Sequence, residues 1–204
     1  MLDDLLHGQL SVLEVLVWLV GVAMAITVHE FAHAKRAQLA GDPTPAQQGR
    51  VTLNPLAHLD PFGTLALVLF GLGWGKPVPV NPSYFRRGRF DELMVSAWGP
   101  LSNILLAAVF AALLRFDLVP GRERLFFTFA LINLLLAFFN LLPVAPLDGH
   151  HVVASLLPPR RAYAYEQFSH RYGIIILLAI LLTRAGAVLF VWPATTLLRL
   201  MIGA

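Results

Sequence analysis

Apolar residues fall in long runs along this chain, separated by short stretches that carry most of its charge. The first run extends from about Leu10 to Leu39, the third from about Leu93 to Leu114 and the fourth from about Leu125 to Leu142. Crossing the hydrocarbon of a bilayer takes about 20 helical residues, so each of the three predicts a spanning helix. The second run, about Phe62 to Trp74, is shorter. Pro61 precedes it and Gly71, Gly73 and Gly75 interrupt it. The last two runs, about Tyr172 to Leu182 and Gly186 to Ile202, flank Thr183-Arg184-Ala185 and predict a tight helical hairpin. Ala162 to His170 extends the first of that pair as a polar-ended helix. Two stretches alternate as strands do. Arg50-Val51-Thr52-Leu53-Asn54 lies between Gly49 and Pro55, and Lys76-Pro77-Val78-Pro79-Val80 has Val at every second position. Proline confines the latter to a sheet edge. The pattern predicts an all-α polytopic membrane protein, a single integral-membrane domain over 1–204. Its expected parts are about five spanning helices, one re-entrant segment and a small membrane-associated β-sheet.

Composition sharpens this reading. Hydrophobic residues make up 57% of the chain and charged ones 13%, against about 25% charged in soluble domains. With no cysteine, disulfides and thiolate metal sites are excluded, and any metal must be held by nitrogen and oxygen. The net charge of +3 does not point to nucleic acid, because the arginines are scattered through segments that flank apolar runs, as in membrane proteins. The acidic start, MLDDLL, lacks the basic region of a cleavable signal peptide. His7, close by, reads as a solvated surface residue.

The candidate chemistry lies in His29-Glu30-Phe31-Ala32-His33. Residues four apart share one helix face, so the two imidazoles can hold one zinc ion, with Glu30 beside them as general base. The motif directly follows Val15 to Val28, a stretch without an ionisable residue. Ionisable groups at such depth are costly and functional by default. A catalytic zinc needs a third protein ligand and an open position. The candidates are His58, His150, His151, His170 and the aspartates. Asp148 is the best of them, because Pro143 and Pro146 end the fourth run while it is still apolar. Broken backbone at membrane depth is tolerated only where protein or water shields it. An N-cap for a helix starting near Gly149 is the other reading of Asp148.

Three stretches resemble the site-2 protease family of intramembrane zinc metalloproteases. His29 to His33 resembles its zinc and catalytic motif. Gly99-Pro100-Leu101-Ser102-Asn103 resembles its glycine-proline-x-x-asparagine signature, and Asn140 to Gly149 its asparagine–proline–LDG motif. The resemblance implies one Zn2+ per chain held by His29, His33 and Asp148, with Glu30 as catalytic acid/base. It also implies that Asn140 bonds substrate backbone or the oxyanion. The chain looks like a minimal member without PDZ or CBS domains. His150 stands where many relatives have a second glycine. Asn103 is a candidate substrate contact, or a bond between packed helices. His58 and His150 are open between donors behind the ligands, substrate contacts and competing ligands.

For His29, His33 and Asp148 to meet, runs one and four must point the same way, with an odd number of spans between them. Run two therefore cannot cross. Lys35, Arg36, Arg50, Lys76, Arg86, Arg87, Arg89, Arg160, Arg161, Arg171 and Arg199 then lie inside, eleven against the four outside, Arg115, Arg122, Arg124 and Arg184. The positive-inside rule predicts zinc nearer the cytoplasmic side of a prokaryotic cytoplasmic membrane. The expected reaction is hydrolysis of a transmembrane protein or peptide substrate, with the bilayer as the other partner and no nucleic acid. Residues Arg50, Val51, Thr52, Leu53 and Asn54, or the Val78–Val80 strand, are expected to pair with the unwound substrate by β-addition. A membrane metal transporter or sensor, or an inactive scaffold, is the alternative.

Overall fold

The computed structural model describes residues 11–70 and 73–204. The signal-peptide reading of the N-terminus, His7 and Gly71 lie outside the described residues. Helix α1 spans Val12–Ala40. Ser11 opens it, accepting the Glu14 N–H while Glu14 bonds back to the Ser11 N–H. This reciprocal cap satisfies two of the amides that a helix start leaves without partners. Gly41 closes it at φ 111°, a left-handed conformation that glycine adopts without steric cost. Helix α2 is Pro61–Phe70, α3 is Arg89–Arg115 and α4 is Glu123–Asn140. Helix α5, Asp148–Leu156, leads into α6, Pro159–Leu182. A π-helical stretch, Ala187–Val191, runs into α7, Trp192–Ile202.

Helices α1, α3 and α4 are long and apolar enough to cross a membrane. The last two runs do not make the predicted hairpin. Pro159–Leu182 and Ala187–Ile202 meet at 84°, so together they supply at most one further span. Among the described residues, the five spans expected from sequence thus become three or four candidates. The reason is visible in α6, whose N-terminal half, Arg160 to Arg171, is polar and leaves only a short apolar end. At 1.5 Å per residue, α2 with its 10 residues is about 15 Å long, half the hydrocarbon thickness.

The predicted sheet is also absent from the described residues, where a single isolated bridge joins Leu59 and Gly75. Backbone groups of 50–54 are spent locally instead. The Thr52 carbonyl bonds the His58 ring at 2.8 Å, and the Asn54 side chain caps the turn Pro55–Ala57. The Arg50 guanidinium donates to the Lys76 carbonyl. In 76–80, Pro77 and Pro79 have no N–H to give a ladder, and the Val78 N–H is bonded to Glu30.

Helix α3 lies against both α1 and α4. Its seams are built of small residues: Ala25, Ala34 and Ala37 on α1, Ala107 and Ala111 on α3, and Ala130 and Ala137 on α4 are buried. Leu16, Val20, Leu105 and Val109 are exposed on the outer faces. Small residues inside and large apolar ones outside is the arrangement of helices packed in lipid. Asp91, buried at the start of α3, receives Arg36 of α1 at 3.1 Å and Arg87 at 3.2 Å. These pairs tie the end of α1 to the beginning of α3.

Candidate metal centre

Helical spacing on α1 brings the His29 and His33 Nε2 atoms 3.0 Å apart. Asp148, at the first turn of α5, meets both: its Oδ2 lies 3.0 Å from His29 Nε2 and its Oδ1 3.3 Å from His33 Nε2. One ligand atom from each falls within 4.8 Å of the others. Among the described residues α3 is the one helix between α1 and α4 long and apolar enough to cross a membrane. A single crossing brings the ends of α1 and α4 to the same face, as the meeting of the three side chains requires.

What each imidazole presents is set by its far side. His33 Nδ1 lies 2.8 Å from the Val95 carbonyl, which only accepts, so Nδ1 carries the proton. His29 Nδ1 lies 2.7 Å from Asn103 Oδ1. In neutral rings both Nε2 lone pairs then converge on each other and on the Asp148 carboxylate. Asp148 Oδ2 is buried and accepts no hydrogen bond. Two nitrogen lone pairs and a carboxylate crowded into one buried spot repel unless a cation lies between them, and this donor set suits zinc.

Backbone approach makes room for the rings. A Cβ on Gly99 would lie 2.5 Å from His33 Cε1 and 2.9 Å from His29 Cε1, so α3 can press on this face of α1 only with glycine there. A Cβ on Gly149 would come 2.5 Å from the Leu142 carbonyl oxygen, and its absence lets α5 start directly beneath the end of α4. The loop 141–147 is held from outside. Tyr165 Oη donates to the Pro143 carbonyl at 2.8 Å, and the Ala145 N–H donates to Ser169 Oγ at 2.8 Å. The Arg89 guanidinium donates to the carbonyls of Ala154 and Leu157 at the end of α5.

A cavity of about 620 Å³ opens on the centre, its wall including His29, Glu30, His33, Asn140 and Asp148. Glu30 Oε2 accepts the Val78 N–H at 3.1 Å. Asn140 donates to the Leu136 carbonyl at 3.0 Å from the cavity wall. Residues Arg50, Val51, Thr52, Leu53 and Asn54 do not line it. Asn103 is fully buried, and its amide is spent on His29, Ala25 and Asn133. It faces a ligand and other helices, not the cavity. His58 is buried and bonded to the Thr52 carbonyl. His150 is buried against Tyr165, ring centroids 5.1 Å apart, and neither of its nitrogens is bonded. Burial, with His151 and His170 beside it, holds this ring down at about 4. Sequence reasoning missed Arg89, Asn133, Tyr165 and Ser169. Only Asn133, an amide inside an apolar helix, carried a local signal.

These features define a membrane protein with a two-histidine, one-carboxylate metal centre and a glutamate beside it. The family model of peptidase family M50 matches residues 117–183. YwhC of Bacillus subtilis (strain 168), assigned by name to the zinc metalloproteases, is 39% identical over 202 residues, 94% of this chain and 90% of that protein. Rip2 of Mycobacterium tuberculosis (strain ATCC 35801 / TMC 107 / Erdman), likewise assigned, is 30% identical over 189 residues, 87% of this chain and 71% of its own. Rip2 of Mycolicibacterium smegmatis (strain ATCC 700084 / mc(2)155) is 29% identical over 173 residues, 81% of this chain and 66% of its own. No solved structure gives a significant match. The chain belongs to peptidase family M50. It is a membrane zinc metalloprotease, and the transporter, sensor and scaffold alternatives are not favoured.

Proposed function

We propose that this protease cuts peptide bonds in or next to transmembrane segments of membrane proteins, with His29, His33 and Asp148 as zinc ligands and Glu30 as the proton carrier. The observation that carries this reading is the convergence of two imidazole lone pairs and a buried carboxylate on one wall of a cavity that Glu30 shares. Zinc, when bound, supplies Lewis-acid polarisation of water and of the scissile carbonyl. Glu30 accepts the proton that water loses as its oxygen adds to the carbonyl carbon. It returns that proton to the nitrogen as the C–N bond breaks. Asn140 lies on the cavity wall, which supports a role in bonding substrate backbone or the developing oxyanion. The extended stretch 76–80 borders the same cavity through Pro77, Val78 and Val80, and the unwound substrate runs along it. Arg50, set behind, supports this stretch through the Lys76 carbonyl. The excess of positive charge in the segments flanking the site supports an orientation with zinc nearer the cytoplasmic face.

Co-expression with a panel of single-span membrane proteins tests the reading. Wild type should release fragments, and Glu30→Gln should keep its zinc and release none. Fragments that persist unchanged with Glu30→Gln would refute the role given to this carboxylate.

A further inference from the structure

Asn133 sits on α4, fully buried, and touches neither the cavity nor a metal ligand. Its Nδ2 donates to the Phe129 carbonyl at 2.9 Å. A carbonyl only accepts, so the amide cannot be turned over, and Oδ1 must point the other way. There it receives Asn103 Nδ2 at 2.8 Å. Asn103 Nδ2 also donates to the Ala25 carbonyl at 3.0 Å, which fixes the second amide in the same sense. Asn103 Oδ1 is left facing His29 Nδ1 at 2.7 Å and can only accept from it. The direction of every bond in this chain follows from two backbone carbonyls, Phe129 on α4 and Ala25 on α1.

We infer that Asn133 is a positioning residue for the metal centre: acting through Asn103, it holds the proton on His29 Nδ1 and so keeps the Nε2 lone pair turned toward the metal. This deepens the reading of His29 as a ligand and rests on it. Groups that orient a metal-bound imidazole from behind affect metal retention about 10–100-fold when removed. Asn133 does so at one further remove, from a third helix. Without it, only the Ala25 carbonyl opposes a turn of the Asn103 amide, and the flipped state, which presents Nδ2 to His29 and reverses the tautomer, becomes more populated. A bond that served only to glue helices together would weaken the fold and leave the imidazole indifferent to its loss.

The experiment uses zinc-loaded protein purified in detergent and follows zinc release to a chelator, alongside thermal unfolding of the metal-free form. Asn133→Leu should release zinc about tenfold faster or more. Asn133→Asp should release it at close to the wild-type rate, because a buried carboxyl stays protonated and then donates to Phe129 and accepts from Asn103 as the amide does. Asn103→Ala should be fast, and adding Asn133→Leu to it should change nothing more. Release from Asn133→Leu within twofold of wild type overturns the inference, and so do additive effects in the double variant. Should Asn133→Leu fail to fold, Asn133→Asp decides alone, and release as fast as from Asn103→Ala overturns the inference. Wild type without zinc, or His29→Ala that holds it as firmly, overturns the reading of His29 as ligand and the relay with it.

Discussion

The imidazole side and the carboxylate side of the metal centre are built in opposite ways. His29 and His33 are placed by the period of one long helix, and four residues of spacing suffice to bring their nitrogens together. Asp148 follows a break and opens α5, so no spacing along a shared helix ties it to the imidazoles. It is set by what other elements do to the loop: Tyr165 and Ser169 of α6 hold Pro143 and Ala145, and Arg89 of α3 holds the far end of α5. Rigidity on one side is local, and on the other it is assembled from residues far apart in sequence. Damage to the α1 side should therefore be abrupt, and damage to the loop side graded.

Four measurements sharpen that contrast. Removing a ligand is the extreme case. His33→Ala or Asp148→Ala should abolish both zinc in the purified protein and cleavage, and chelation of the wild type should do the same until zinc is restored. Glu30→Gln comes next. It should lower turnover about 100- to 10,000-fold, the usual worth of a general base, while metal analysis still finds one zinc per chain. Gly99→Ala follows, on the α1 side without touching a ligand's chemistry. Overpacking of this kind costs about 1–3 kcal/mol, and here it falls on the two imidazoles, so zinc release should quicken while helix content by circular dichroism stays constant. Ser169→Ala, on the loop side, should be mildest. Losing one hydrogen bond costs about 1 kcal/mol, and Tyr165 still holds Pro143. A few-fold fall in cleavage with zinc retained is expected. If Ser169→Ala instead cost as much as Gly99→Ala, the carboxylate side would be as brittle as the imidazole side.

The same contrast explains what the sequence made legible. The HExxH spacing needs only helix geometry, so the pair and Glu30 could be read directly. The long runs behind α1, α3 and α4 were equally plain, because crossing a bilayer demands length and apolarity together. Asp148 was legible through the cost of breaking a helix in apolar surroundings. Strand pairing was not. Arg50–Asn54 alternates as a strand does, yet its polar groups are consumed by His58 and the turn at Pro55. Alternation says nothing about such side-chain competition. The terminal hairpin misled because Thr183-Arg184-Ala185 reads as a short connection, whereas the 84° between the helices is decided by what they pack on. Asn103 was weighed as a substrate contact or as a bond between helices. Its bonds to His29 and Asn133 join three helices, and no window of sequence contains all three.

The alanine seams of α1, α3 and α4 carry one more consequence. In lipid, burying a leucine gains little, since acyl chains are as apolar as the side chain itself. Ala107, Ala111 and Ala130 therefore hold the bundle by how little space they take. A map of permitted substitutions should look inverted beside that of a water-soluble enzyme: free exchange among bulky residues on the perimeter at Leu105 and Val109, and strict smallness at these alanines, packed beside the buried Phe110 and Leu134, where one added methyl group wedges the helices apart.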